Sequence, residues 1–270
     1  VDEQSGLWYD ITNELTDPTK KVWPMVGKVD DVTKLKFNQT RATKYSVPLN
    51  FSFNKTPGLA IPIFLTGIEA NEFEIEVKLK TLANLLLHDG GTVNSSIGIS
   101  EFKAHASYYT LETYEKERIK NYRRETRSGQ RKIDNRGQLV HLIETVQQFQ
   151  TTSSNFTLND LKGSVKELVW VLQHNSKISS NNPIVRDNVP ITTHTGNDHF
   201  NYSGITTANN ALDPFTSLTV KVGNSFEFDD KSALHYRQYL PYKHHSAVPN
   251  NYVYVLPLCL NPEDYQPSGA

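Results

Sequence analysis

Cysteine, long apolar runs and net charge are all scarce in this sequence. Cys259 is the single cysteine of the 270 residues, which excludes an intramolecular disulfide framework and a cysteine-based metal cluster. Apolar runs such as residues 59–65 are far too short to cross a bilayer as a helix. The formal net charge is −1, which excludes a global electrostatic field that would recruit nucleic acid or an anionic membrane.

Short motifs that carry enzyme chemistry are also missing. Gly90 and Gly91 are followed by neither a phosphate-binding Lys-Ser/Thr pair nor a dinucleotide-binding pattern. The chain has no Gly-x-Ser-x-Gly nucleophile turn, no His-Glu-x-x-His pair and no calcium-binding loop. We therefore predict no catalytic, cofactor-binding or metal-binding residue.

Several short segments alternate apolar and polar residues, which is the pattern of a half-buried β-strand. The clearest are residues 47–53 and 73–79. Enrichment in β-branched and aromatic residues predicts further strands at residues 108–111, 168–172 and 252–260, and a hairpin over residues 218–228. Many short strands separated by turn residues predict an antiparallel sandwich or barrel.

Two segments depart from this pattern. The basic segment, residues 115–136, has nine basic and four acidic residues and therefore carries +5, against −6 for the rest of the chain. We interpret it as a solvated linker, or as a contact surface for an acidic partner, a lipid headgroup or nucleic acid. The polar excursion, residues 174–216, is rich in Asn, Ser, Thr and Pro, and we expect it on the outer surface. Residues 139–146 fit helical spacing at least as well as strand spacing.

Two alternative functions rest on clustered side chains. His235, with His244 or His245, could bind a metal ion in a cupin-like enzyme. Ordinary surface histidines are the simpler interpretation. Tyr236, Tyr239 and Tyr242 could be stacking platforms of a carbohydrate-binding jelly roll, although interface or core residues are the simpler interpretation of these tyrosines too.

Five stretches carry more specific residue combinations, in order between residues 47 and 269. They are the Phe-Asn, Pro-Gly and Leu-Ala-Ile-Pro groups of Val47–Pro62, the Glu-Arg pair that ends Tyr109–Arg118, the stretch Leu142–Phe149, the Lys-x-Leu-x-Trp pattern of Lys166–Trp170, and the aromatic strand and Gln-Pro-Ser-Gly turn of Tyr252–Gly269. Together these stretches resemble the major capsid proteins of the nucleocytoplasmic large DNA viruses. The resemblance favours a strand at residues 142–149.

This resemblance implies an all-β double jelly roll, two eight-stranded antiparallel sandwiches side by side, both partly incomplete in this chain. Residues 1–114 would then hold the C-terminal part of the first jelly roll with a preceding segment. Residues 115–137 would form a charged inter-domain linker. Residues 138–270 would form the second jelly roll without its last strand or strands, with the polar excursion 174–216 on its outer tower.

The function that the resemblance implies is structural rather than enzymatic. Three subunits would form a pseudo-hexagonal capsomer, and such capsomers would tile an icosahedral shell. We expect the partners to be copies of the chain, neighbouring capsomers and, through the basic segment 115–136, minor capsid proteins or an inner membrane. No cofactor and no sequence-specific nucleic acid contact are expected. The location implied is the virion capsid, assembled in the host cytoplasm.

The chain departs from the family pattern at three places. It ends at Ala270, where the family continues with an Asn-x-Ser-Arg strand, and the residues before Val47 are too few to supply the first strands of a jelly roll. The basic segment is longer than its usual counterpart. The chain begins at Val1 without an initiator methionine, so we expect a piece of a longer protein.

Overall fold

The fold is known from a computed structural model. It describes residues 2–28, 44–63, 73–81, 87–88, 98–118, 142–161, 163–174, 183–186, 189–196, 199–205, 211–223 and 225–265. Within these ranges, no helix has both the length and the apolarity needed to cross a membrane.

An amphipathic helix, α1 (Gly6–Thr16), lies near the N-terminus. Ser5 caps it, because its Oγ accepts a hydrogen bond from the N–H of Trp8 at 3.3 Å. Leu7, Ile11 and Leu15 are spaced four residues apart and therefore share one face of the helix. This face packs on the core of the protein.

A second short helix, α2 (Val22–Val26), ends at Gly27. The φ angle of Gly27 is 71°, in the left-handed region where glycine is favoured, and its N–H donates to the carbonyl of Trp23. A Cβ atom at this position would lie 2.3 Å from the ring of Tyr45. Both the backbone conformation and the available space therefore require glycine here.

Nine strands follow along the described ranges. They are β1 (Leu87–His88), β2 (Glu167–Trp170), β3 (Pro183–Arg186), β4 (Val189–Gly196), β5 (Gly204–Ile205), β6 (Ala211–Leu212), β7 (Ser217–Val222), β8 (Ser225–Ser232) and β9 (Tyr254–Pro257). They form a three-stranded sheet in the order β1-β4-β3 and three two-stranded sheets, β2-β9, β5-β6 and β7-β8. Every pairing among them is antiparallel.

A helix lies between β8 and β9. It begins as a π-helix (His235–Tyr239) and continues as an α-helix, α3 (Leu240–His244). We refer to the two together as the 235–244 helix. The π-helical turn places Tyr236 in the core, and the OH of Tyr236 donates to the carbonyl of Leu218 on β7 at 3.0 Å.

The core is organised around β9 and the residue that precedes it. Val253 and Val255 point towards α1, where they join the cluster of Ile11 and Leu15. Tyr254 and Leu256 join the opposite cluster, with the 235–244 helix. Successive side chains of a strand point to opposite faces, so this segment is buried on both sides, and Val253 to Leu256 are fully buried.

Trp170 of β2 completes the second cluster. Its ring stacks on Tyr254 with the centroids 5.9 Å apart, and it meets the ring of Tyr236 edge to face at 5.2 Å. The register pairs Trp170 with Tyr254 across the β2-β9 ladder. Large aromatic rings in these arrangements supply much of the packing energy of a core.

The predicted strands fall into two groups. Those at residues 168–172 and 252–260 and the hairpin over 218–228 are confirmed, with the bounds of β2, β9 and the β7-β8 pair. In the hairpin Val222 pairs with Ser225. Antiparallel β-structure is therefore present, while the double jelly roll, with both rolls partly incomplete in this chain, remains a prediction.

Four predicted strands are wrong. Residues 47–51 have no regular secondary structure and continue into two 3-10 turns, Ser52–Asn54 and Pro57–Leu59. Residues 73–79, 108–111 and 142–149 also lack regular structure. Neither a strand nor a helix is therefore present over residues 142–149, while residues 139–141 of the segment with helical spacing lie outside the described residues. A strand is defined by hydrogen bonds to a neighbour, and in the described ranges these segments have no ladder partner.

The two segments that break the strand pattern also differ from expectation. The motif at Tyr109–Arg118 ends in a helix over residues 113–118 rather than in a strand, and residues 119–136 of the basic segment lie outside the described residues. The polar excursion 174–216 contains strands β3 to β6. It also contributes Tyr202 to the core, with no exposed surface, so it is not wholly an outer-surface feature.

Candidate functional site

The three histidines proposed for a metal site do not converge on one point. His235 stacks on the ring of Tyr239 with the centroids 5.2 Å apart. Nδ1 of His244 lies 2.8 Å from the carbonyl oxygen of Leu260. His245 is held by two carboxylates, and the described part of the chain has no group of three residues suited to hold a metal ion.

His245 lies between Glu167 at the start of β2 and Glu263 near the C-terminus. Its Nε2 is 3.1 Å from Oε2 of Glu167, and its Nδ1 is 3.2 Å from Oε1 of Glu263. The side chain of His245 is only 2% exposed. Glu263 is itself fixed by Ser246, whose N–H donates to Oε1 at 2.7 Å and whose hydroxyl donates to Oε2.

These contacts decide the charge of the imidazole. Burial opposes the charged form, but the hydrogen bonds and the charges of Glu167 and Glu263 outweigh it and raise the pKa of His245 to about 9. At neutral pH the ring is therefore an imidazolium, which hydrogen-bonds Glu263 through Nδ1 and forms an ion pair with Glu167 through Nε2. With no free lone pair it can act neither as a general base nor as a metal ligand, so the cluster is structural.

A second ion cluster anchors the N-terminal segment. Nζ of Lys28 lies 2.6 Å from Oδ1 of Asp10 and 2.7 Å from Oε1 of Glu14, two buried carboxylates one turn apart on α1. Asp10 also accepts a hydrogen bond from the OH of Tyr202 at 3.1 Å, and Glu14 accepts one from the N–H of Asn250 at 3.0 Å. Burial raises the pKa of Asp10, although Lys28 opposes the shift.

A third cluster links the 235–244 helix to β9. Arg237 donates from Nε and Nη2 to the two carboxylate oxygens of Asp213, at 2.7 and 3.0 Å. The OH of Tyr254 donates to Oδ1 of the same carboxylate at 2.8 Å. Burial and the neighbouring Asp213 carboxylate raise the pKa of Tyr254. The cluster satisfies polar groups beside the core and positions no reactive group.

The three tyrosines proposed as stacking platforms differ in their exposure to solvent. Tyr236 has no exposed surface and belongs to the core, whereas Tyr239 and Tyr242 are exposed. The simpler interpretation is therefore confirmed for Tyr236. Cys259 is buried, and burial raises the pKa of its thiol.

Residues 73–79 carry a set of exposed apolar side chains. Phe73, Ile75, Val77 and Leu79 each expose more than two fifths of their surface. The ring of Phe73 meets that of Phe53 edge to face, with the centroids 5.3 Å apart. Clustered exposed apolar side chains of this kind are typical of surfaces that another protein element covers.

Comparison with known proteins shows the class of protein to which this chain belongs. Residues 135–270, just over half of the chain, match the family model described as large eukaryotic DNA virus major capsid protein, and the chain belongs to this family. Over its whole length it is also similar to the major capsid protein of Pyramimonas orientalis virus, with 24% identity over 307 aligned positions. The chain spans 62% of the length of that relative.

Family membership confirms the resemblance drawn from the five sequence stretches. Sequence reasoning missed both ion clusters that hold the termini. The spacing of Leu7, Ile11 and Leu15 behind Ser5 was a usable signal for α1, and the pair Asp10 and Glu14 on the same helix was a weaker signal for a cation partner. No local pattern indicated that His245 would be buried between two glutamates.

Proposed function

We propose that this chain is a structural virion protein, and that three copies form a pseudo-hexagonal capsomer of an icosahedral shell. Membership of the major capsid protein family supports a structural role rather than an enzymatic one. The observation that carries the assembly step is the exposed apolar row on residues 73–79. The described clusters of ionisable residues are all engaged in structural contacts, which agrees with a protein whose function is packing.

The energetic argument for self-association rests on this row. Its four side chains are each about half exposed, so complete burial would contribute roughly 1 kcal/mol per side chain, or about 4 kcal/mol for the row. A neighbouring copy in a capsomer would supply the covering surface. A complete trimer interface requires further apolar area beyond this row.

The domain organisation belongs to the same proposal. Residues 1–114 and 138–270 would contribute to two jelly rolls, joined by the charged linker 115–137. The basic segment 115–136 would face minor capsid proteins or an inner membrane, and the exposed parts of the polar excursion 174–216 would face outwards. The shell would assemble in the host cytoplasm. A reconstruction of the virion with the basic segment on the outer face would contradict this placement.

Native mass spectrometry of the full-length protein is the direct test. We expect a trimer for the wild type and a shift towards monomer for the double variant I75D/V77D. The matched control E74Q/E76Q changes polar side chains of the same segment and should remain trimeric. A wild-type monomer at high concentration would refute the capsomer. If far-UV circular dichroism showed that I75D/V77D unfolds, the row would belong to the subunit's own core rather than to the interface.

A further inference from the structure

An open groove runs beside the 235–244 helix, with a volume of about 630 Å³. Two aromatic rings dominate it, since Tyr239 and Tyr242 expose 54% and 78% of their surfaces. Both rings line the groove. Leu234 and Val248 complete its apolar lining.

The remaining lining residues are polar without being charged. Ser232 supplies a hydroxyl, Gln238 an amide and His235 an imidazole. Burial, together with the nearby positive charge of Lys231, lowers the pKa of His235, so its ring is neutral at pH 7. Lys231 does not itself line the groove. Nε2 of His235 is buried, and the described residues offer it no hydrogen-bond partner.

This combination of groups selects among ligands. A purely apolar partner surface would cover the hydroxyl, amide and imidazole without pairing them, and unpaired buried polar groups are costly. A charged ligand would find no opposite charge in the lining. A sugar ring has apolar C–H faces that pack on aromatic rings and hydroxyls that both donate and accept. We infer that this groove binds a neutral saccharide through two tyrosine rings and three uncharged polar side chains.

The inference is independent of the proposed capsomer, because the groove is built within one chain. A single shallow site of this kind binds weakly, so the experiment must detect binding at millimolar ligand. Saturation-transfer NMR with the full-length protein is suitable, with cellohexaose, maltohexaose, xylohexaose and mannohexaose as neutral probes and polygalacturonate as a charged comparator. We expect transfer to at least one neutral probe and none to the polygalacturonate.

Variants locate the site. Y242A and Y239A should each weaken binding about tenfold, because a ring face is lost, and Q238A should weaken it through lost hydroxyl contacts. The control is Y108A, since Tyr108 is 76% exposed and lies far away in the chain. The inference fails if no neutral probe binds, if Y108A has the same effect as Y242A, or if decaproline binds the groove in place of the sugars.

Discussion

The free energy of unfolding should depend on pH because of His245, and replacing Glu167 with glutamine should remove part of this dependence. The imidazole of His245 has a pKa of about 9 in the folded protein and an ordinary value of 6.5. A difference of this size corresponds to about 3 kcal/mol of free energy of unfolding, at 1.36 kcal/mol per pKa unit. Glu167 supplies one of the two carboxylates that cause the shift, so E167Q should lower the folded-state pKa towards the ordinary value.

The sign of the effect follows from the direction of the shift. Because the folded-state pKa of His245 is raised, its contribution is present in full below pH 6.5 and is lost as the pH rises through about 9. Glu263 acts in the opposite sense, since the hydrogen bonds from His245 and Ser246 outweigh burial and lower its pKa. Its contribution is present above its ordinary value of 4.5 and is lost as the pH falls further.

Urea unfolding followed by far-UV circular dichroism between pH 6 and pH 10 measures this contribution. Lysines and tyrosines also titrate in the upper part of this range, so the relevant quantity is the wild-type stability minus the E167Q stability. We expect this difference to be largest near pH 6 and to shrink by at least about 1 kcal/mol by pH 10. H244Q is the matched control, because the ring of the adjacent His244 contacts the carbonyl oxygen of Leu260 rather than the carboxylates of the His245 cluster.

Two results would contradict the reasoning. A wild-type minus E167Q difference that stays constant from pH 6 to pH 10 would mean that His245 does not titrate in this range. If H244Q changed the pH dependence of the free energy of unfolding as much as E167Q does, the effect would not be specific to the His245 cluster. NMR titration of the His245 ring would then give its folded-state pKa directly.

Three further substitutions probe the packing and the other clusters. L15A should destabilise the fold by about 3 kcal/mol, because it opens a cavity between α1 and β9; a thermal melt with a change below half that value would contradict the packing. K28M should cost a similar amount, about 3 kcal/mol, because it leaves two buried carboxylates unpaired, and lowering the pH to 4 should recover part of the loss in urea unfolding. D213N should leave the Arg237 guanidinium without its bidentate partner and reduce stability by about 3 kcal/mol, whereas a Tm within one degree of the wild type would contradict this.

The elements that the sequence predicts correctly are those whose signals lie within a few neighbouring residues. The β7-β8 hairpin has apolar alternation on both sides of a two-residue turn, and each signal is local. β2 and β9 contain β-branched and aromatic residues that bury well on a sheet. α1 could have been predicted on the same grounds, since a serine cap and a four-residue apolar spacing are also local signals.

The strands predicted at residues 47–53 and 73–79 show where local reasoning ends. Alternation states which side chains share a face, but a ladder also needs a partner strand at the right distance. In residues 73–79 apolar and polar residues alternate along the sequence, yet the apolar side chains are exposed. The His245 cluster was unpredictable for a related reason: Glu167, His245 and Glu263 lie on three different elements, and only the tertiary fold brings them together.

The contacts of β9 include residues of α1, which precedes the family-matched region. The family match starts at residue 135, yet one face of β9 and the residue before it is covered by Ile11 and Leu15 of α1. Glu14 accepts hydrogen bonds from Asn250 and Asn251 just before β9, and Asp10 accepts one from Tyr202. A segment from the start of the chain therefore supplies both apolar cover and polar anchors to the matched region. Since buried valines without cover and a buried tyrosine without its partner are each costly, the N-terminal helix and the family-matched region form one cooperative core.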